Sequence, residues 1–222
     1  RSELNDLPAN TYLPELPTRG VLSTLSVGAR YGKGKSFAYS ISPEDGRYMA
    51  LNAEWTAPWL GSYTLDSQDV PQKRPFNQVQ MTAEIREFIT NPWVPNHVLA
   101  LRFAGGASAG DRLRYGSFRV GGSFGESGFY VLPDEYRPLR GFPISSASGD
   151  WYYLGSAEYR LPLWRIDRGT GTIPAFFKTL HGALFTDVGS AFDNPENAPL
   201  PLVGVGAELR LIAILGWGVG LQ

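Results

Sequence analysis

The residues best suited to specific chemistry in this chain of 222 residues are one arginine and two carboxylates. Arg140 lies in a long turn-rich segment, whereas Glu158 and Asp187 lie in two later runs that alternate polar and apolar residues. Antiparallel neighbouring strands with a short connection can bring two such carboxylates to one height. A guanidinium carries a planar fork of donors that suits both partners. These residues could form an ion-pair cluster, but taken without any family resemblance they favour a solvated Arg140 and a Glu158 that lines a wet lumen.

Other chemistry is poorly represented in the sequence. Residues 32–36 read GKGKS, but a phosphate loop needs an earlier glycine where this chain has Ala29, and no helical pattern follows. We interpret this stretch as a basic turn. The GESG at 125–128 is not a nucleophile elbow, and His97 and His181 show no catalytic or metal-ligand spacing. We therefore expect no catalytic, metal or cofactor site within these residues, and no enzyme activity from them.

The composition narrows the class of protein and its partners. The net charge is −1 with no basic face, which argues against nucleic acid as a partner. The chain has no cysteine, so it has neither a disulfide framework nor a thiolate metal site. Aromatic residues make up 13% and glycines number 26, which fits short turns and interfacial aromatic girdles. The mean hydropathy is −0.17, and no apolar run approaches the ~20 residues of a membrane helix.

The clearest strand pattern begins at Trp151, where residues alternate with period two. One face is aromatic or apolar: Trp151, Tyr153, Gly155, Ala157, Tyr159, Leu161 and Leu163. The other face is mostly polar: Tyr152, Leu154, Ser156, Glu158 and Arg160. Alternation of this kind predicts a half-buried strand, and a surface face this apolar suggests lipid as its partner. The stretch from Val203 to Leu215 repeats the pattern, with Glu208 and Arg210 opposite its apolar face.

Alternation elsewhere raises the total to eight or nine strands, and no helix of useful length is indicated. Strands connected in sequence favour an up-and-down antiparallel arrangement. We therefore predict an all-β fold, an antiparallel transmembrane β-barrel over residues 20–222, with a soluble β-sandwich as the alternative. Residues 1–19 contain three prolines and are predicted to be a linker or loop. Ser123 to Ser148 form a loop of about 26 residues.

Four motifs in a fixed order carry a family resemblance: FRVGG at 118–122, RGF at 140–142, SAEYRLPL at 156–163 and ALFTDVGSAF at 183–192. Together they resemble the carboxy-terminal barrel of the Omp85 superfamily, the surface-antigen or BamA/TamA-like outer-membrane proteins. The resemblance is most specific over Ser117 to Phe192 and extends more weakly to Gly20 and Gln222.

The resemblance implies a barrel of sixteen strands, of which this chain supplies roughly the second half. An eight-stranded barrel would be filled by its own side chains and would leave no room for a long inward loop. The chain begins at Arg1 without a methionine or a signal peptide, and it stops in what reads as a new strand. We expect it to be a fragment of a longer polypeptide in the outer membrane of a bacterial-type cell.

The resemblance also implies site residues. The loop arginine Arg140 would dock inside the barrel wall against Glu158 and Asp187. Gly141 would let the loop backbone approach the wall closely, and Phe142 would wedge against it. The loop at about 123–148 would accordingly fold into the barrel.

The function implied by the resemblance is assistance in the insertion or translocation of other outer-membrane or surface proteins. The partners would be the lipid bilayer, client outer-membrane proteins and possible accessory assembly proteins, with no cofactor. Addition of a client strand to an unpaired edge is the physical basis of such an activity. The first alternative is a passive pore, or a membrane anchor for an upstream domain such as a patatin-like lipase. The second alternative is a soluble β-sandwich binding module.

Overall fold

A computed structural model describes residues 19–36, 40, 42–65, 72–112, 117–122, 137–171, 173–216 and 219–221. Within these residues the chain is built from strands and two single-turn 3-10 helices, at Pro58–Leu60 and Pro195–Asn197. The strands are β1 (Gly20–Val21), β2 (Thr24–Lys35), β3 (Asp45–Thr56), β4 (Tyr63–Leu65), β5 (Lys73–Pro75), β6 (Gln78–Thr90), β7 (Val98–Gly110), β8 (Phe118–Val120), β9 (Ala147–Gly149), β10 (Trp151–Thr170), β11 (Ile173–Phe192), β12 (Leu202–Leu215) and β13 (Val219–Leu221).

Eight of these strands form one sheet in the order β13-β12-β11-β10-β7-β6-β3-β2, and every neighbouring pair is antiparallel. The predicted all-β antiparallel architecture is confirmed. The sheet is open within the described residues, since β2 and β13 are its edges. Two small sheets, β1-β4-β5 and β8-β9, accompany it. No helix among the described residues is long and apolar enough to cross a membrane.

The connections of the large sheet differ between its two ends. One end, the turn end, carries the connections at 36–44, 91–97 and 171–172, together with the turn between β12 and β13. The other end, the loop end, carries the connections at 57–77, 111–150 and 193–201, of which the first two are the longest in the sheet. β10 and β11 have 20 residues each and extend beyond β7 at the turn end, because the pairing with β7 stops at Arg160 and Val98.

The two faces of the sheet have opposite chemistry. The face that we call outer is lined by exposed apolar side chains, among them Val27, Leu51, Met81, Phe103, Trp151, Tyr153, Leu184, Val203, Val205 and Leu209. The opposite, inner face carries buried or half-buried residues, among them Gln78, Glu84, Arg102, Tyr152, Leu154, Glu158, Arg160, His181 and Asp187. The predicted alternation of β10 is confirmed, since Trp151 is 41% exposed whereas Tyr152 is 7% exposed.

The hydrophobic core lies on the inner face near the loop end, between the sheet and the connection from β7 to β10. It consists of Phe118, Val120, Leu139, Tyr152, Leu154 and Ala191. Half-buried Ala104, Phe142, Ala147 and Leu202 pack against it. The described part of the connection therefore folds over the inner face. The loop aromatics at 124, 129, 130 and 136 lie outside the described residues.

Two expectations about local structure are wrong. Residues 32–35 are not a basic turn but the last part of β2, where the ring of Tyr48 on β3 lies against Gly32 and Gly34. Glycines leave room for that ring on the neighbouring strand. In β12, Ala213 is 7% exposed and Ile214 is 43% exposed, so the predicted alternation does not reach the end of the strand. A register shift between Phe177 and Thr179 of β11 accompanies this inversion.

Candidate functional site

Arg140 reaches the inner face because its segment is paired with the FRVGG motif. The Leu139 amide donates to the carbonyl of Gly122 at 3.0 Å, and the Gly122 amide donates to the carbonyl of Phe142 at 2.9 Å. The Gly121 amide donates to the carbonyl of Arg137 at 3.2 Å. These backbone bonds hold the RGF tripeptide beside the motif that precedes it by some twenty residues in sequence.

The wall opposite Arg140 is set by the register of three strands. Ser156 of β10 pairs with Asp187 of β11, which pairs with Gly204 of β12. One step further towards the turn end, Glu158 pairs with Phe185, which pairs with Gly206. Because paired residues share a face, two carboxylates and two glycines come to lie under the loop.

The Arg140 guanidinium makes a bidentate contact with Asp187. Nε donates to Oδ2 at 2.7 Å, Nη2 donates to Oδ1 at 2.8 Å, and the backbone amide of Arg140 donates to Oδ2 at 3.2 Å. Nη1 donates to Oε2 of Glu158 at 2.7 Å and to Oε1 of Glu208 at 3.1 Å. Nη2 also donates to Oγ of Ser156 at 3.2 Å. The fork is thus shared among three carboxylates on three adjacent strands.

The cluster is buried, and its charges balance. Arg140 and Glu158 are each 6% exposed, and Asp187 is 2% exposed. Arg160 donates to Glu158 at 2.7 Å, while Arg210 donates to Glu158 at 3.0 Å and also pairs with Glu208. Three arginines therefore face three carboxylates. Buried charges are tolerated when they are paired and hydrogen-bonded in this way.

The protonation state of the loop arginine is secure. Burial by itself would lower the pKa of the Arg140 guanidinium, but hydrogen bonds to Asp187 and Glu158 outweigh burial and hold that pKa above its usual range. The Arg140 side chain therefore stays positively charged throughout the physiological pH range.

An aromatic ring and two glycines complete the site. The guanidinium carbon of Arg140 lies 3.7 Å from the ring centroid of Phe185, and that ring also lies against Gly206. A Cβ at Gly206 would lie 2.6 Å from the ring of Phe185, and a Cβ at Gly204 would overlap the carbonyl oxygen of Arg140. Only glycine at these two positions leaves room for the ring and the loop backbone.

The structure brings the three charged residues named from sequence, Arg140, Glu158 and Asp187, into one cluster. Gly141 lies beside the wall, since a Cβ built on it would be 3.9 Å from Cα of Gly204, and its φ of +90° is one that side chains rarely adopt. Phe142 packs against the hydrophobic core on the inner face.

Sequence reasoning missed the following parts of the cluster: Ser156, Arg160, Phe185, Gly204, Gly206, Glu208 and Arg210. The alternation in β12 places Glu208 on the polar face, and Gly204 and Gly206 precede it with period two, so a signal was present for these three. No local signal assigns Phe185 to a cation, because that role depends on where the loop descends.

We call Arg140 and its three carboxylate partners the Arg140 clamp, because these contacts hold the loop against three strands. Within the described part of the chain no group of three His, Cys, Asp or Glu residues is arranged to hold a metal ion. His181 is 2% exposed, and its Nδ1 makes no hydrogen bond to any described residue.

Compared with known proteins, the chain matches no family model and no curated protein. Function is therefore inferred from the geometry of the cluster and the chemistry of the two sheet faces.

Replacing Asp187 by Asn tests the bidentate contact. Removing one partner of a buried ion pair costs about 3–5 kcal/mol, and we expect the docked loop to lose about that much. In hydrogen–deuterium exchange of the full-length protein, the peptide spanning 137–142 should exchange faster by roughly 100-fold to several thousand-fold, at ~1.4 kcal/mol per factor of ten. Asp193→Asn is the matched control, because Asp193 is 60% exposed and pairs with Arg112 at the surface. Equal exchange in the two variants would contradict the role of Asp187.

Replacing Gly204 by Val tests the close approach of the backbone. The new side chain would collide with the carbonyl of Arg140 while every charge in the cluster is retained. Overpacking of this kind costs about 1–3 kcal/mol, so exchange at 137–142 should rise about fivefold to 100-fold. Ala207→Val, on the outer face of the same strand, should leave that exchange unchanged.

Proposed function

We propose that this chain is roughly the second half of a sixteen-stranded, Omp85-type β-barrel in a bacterial-type outer membrane. The observation that carries the proposal is the exposed apolar outer face, which continues from strand to strand across the large sheet. No second sheet among the described residues covers that face. In a soluble β-sandwich such a face would be packed against another sheet, whereas in a membrane barrel lipid covers it.

The limits of the apolar face support this proposal. On β3 it runs from Met49 to Trp55, about 20 Å at ~3.3 Å per residue, which is close to the ~25 Å apolar band of outer-membrane barrels. At the turn end, Arg47 pairs with Glu87 at 2.5 Å. At the loop end, Nε1 of Trp55 donates to Oδ1 of Asn77 at 2.9 Å. Charges at one boundary and a hydrogen-bonded indole at the other suit the two membrane interfaces.

The open edges also fit a longer barrel. A lipid-exposed sheet edge leaves backbone groups unpaired, which membranes do not tolerate. The edges β2 and β13 would therefore pair with strands that lie outside this chain. The two longest connections, at 57–77 and 111–150, both lie at the loop end, which matches the extracellular side of such barrels.

We propose that the barrel assists insertion or translocation of client outer-membrane or surface proteins, with accessory assembly proteins as possible partners. The Arg140 cluster supports this function over that of a passive barrel. The charges of the cluster balance, and its contacts join the loop to three strands that already pair with one another. The cluster therefore fixes the position of the loop rather than the pairing of the strands. Polar contacts of this kind can be exchanged for water when the loop moves.

The membrane placement is tested by an arginine on the outer face. Ala207 lies in the middle of β12, so Ala207→Arg should cost about 2–4 kcal/mol if lipid covers this face. The measurement is the denaturant midpoint of the full-length protein, folded in detergent and followed by heat-modifiable gel mobility. Ala207→Leu, an apolar change at the same position, is the control. A soluble protein that needs no detergent would rule out the barrel.

The proposed activity is tested by Arg140→Ala. Water can solvate Glu158 and Asp187 once the loop lifts, so we expect the full-length variant to reach the membrane with its wall intact. Client insertion should fall, and Arg140→Lys should restore it only in part, because an ammonium cannot form the bidentate fork. The assay compares client insertion at matched membrane levels. Unchanged insertion by Arg140→Ala would leave the passive barrel or membrane anchor as the better interpretation.

A further inference from the structure

The FRVGG motif holds the Arg140 segment by its backbone, and the side chain of its first residue takes part in a second contact of the same loop. Arg137 precedes the RGF tripeptide, and its guanidinium carbon lies 4.8 Å from the ring centroid of Phe118 and 4.5 Å from that of Tyr152. The two ring centroids are 4.8 Å apart, with the planes tilted by 53°. The cation and the two rings thus form a compact triangle.

This triangle is shielded from solvent. Arg137 is 9% exposed, Phe118 is 1% exposed, and both rings belong to the hydrophobic core on the inner face. A cation within ~6 Å of an aromatic face is attracted to it, and the attraction grows when water is excluded. Arginine suits such a place better than lysine, because its guanidinium is planar and weakly hydrated.

The triangle and the Arg140 cluster occupy different heights on the wall. Tyr152 precedes Ser156 by four residues on β10, which corresponds to about 13 Å along the strand. The rings that contact Arg137 are not residues of the Arg140 cluster. Leu139 and Phe142, which flank Arg140, do pack in the same core as the two rings, so the test below compares the two arginines directly.

We propose that Arg137 is a second anchor of this loop, a positioning residue that fixes the loop root to β10 independently of the Arg140 clamp. The root is the Arg137, Phe118 and Tyr152 triangle, and the tip is Arg140 with Gly141. Release of the Arg140 clamp then frees the tip while the root, and Phe142 packed against its core, stay on the wall. The loop moves about its root instead of leaving the inner face.

The test measures access to the wall beneath the root. Ala191 is 4% exposed and lies in the core with Phe118 and Tyr152, so Ala191→Cys is a small change that the docked root covers. It would be introduced as the single cysteine of the full-length protein in its membrane. The rate of labelling by a membrane-impermeant maleimide then reports how often the root lifts.

The anchor residue is tested first. Arg137→Gln, which removes the charge but keeps a long polar side chain, should raise the labelling rate about tenfold, as expected for a shielded cation–π contact. Arg137→Lys should give an intermediate rate. Arg140→Ala should leave the rate within about twofold of the parent. Parent-like labelling of Arg137→Gln would overturn the proposal, and so would an equal increase in Arg140→Ala, because the two arginines would then act as one anchor.

The rings provide a second test that does not depend on changing the arginine. Tyr152→Phe keeps the ring and should label like the parent, whereas Tyr152→Leu should label like Arg137→Gln. Adding Arg137→Gln to Tyr152→Leu should then raise the rate by less than it does in the parent, because only Phe118 still faces the guanidinium. Equal rates for Tyr152→Phe and Tyr152→Leu would overturn the proposal. Heat-modifiable mobility identifies the folded fraction of every variant, and only that fraction is scored.

Labelling needs no client protein, so this result is separate from the proposed activity. If client insertion is unaffected by release of the tip, the assembly function is wrong while the labelling pattern still decides whether the root is anchored. If Arg137→Gln labels like the parent while Arg140→Ala reduces insertion, the second anchor is wrong and the assembly function stands.

Discussion

The buried charge of Arg140 is the constraint on which the position of the loop and the polarity of the inner face around it depend. A guanidinium removed from water is costly unless every donor finds an acceptor. Asp187, Glu158 and Glu208 provide acceptors, and they come from three consecutive strands of one sheet. The loop position, the strand register and the inner-face polarity are therefore coupled, because a one-residue slip of any of these strands would turn its carboxylate to the other face.

The wall accommodates the loop through residues with little or no side chain as much as through charge. Gly204 and Gly206 open a shallow surface on β12, where the Arg140 backbone and the Phe185 ring fit. Nearer the loop end, the hydrophobic core contributes apolar packing, since Phe118, Val120 and Leu139 are almost fully buried. The inner face thus combines a polar clamp with a small hydrophobic core, and each has its own position along β10.

The two faces of the large sheet have opposite polarity. The inner face satisfies charged groups within the protein, whereas the outer face leaves large apolar side chains such as Val205 and Leu209 more than 70% exposed. Exposure of that extent over many strands is unfavourable in water and natural in lipid. Alternation of polar and apolar residues along each strand produces both faces, and it also keeps the mean hydropathy of the chain low.

The sequence by itself determined the strands, their alternation and the three charged residues of the clamp. Period two in Trp151 to Leu163 is a local property, and so is the single arginine between Leu139 and Gly141. Tertiary structure decided what local pattern does not contain. The need for glycine at 204, the ring of Phe185 against the cation and the contact of Arg137 with Tyr152 all depend on where the loop descends onto the wall. The inversion at Ala213 likewise accompanies a register shift in the neighbouring strand, because a strand's exposure is set by its pairing as well as by its own residues.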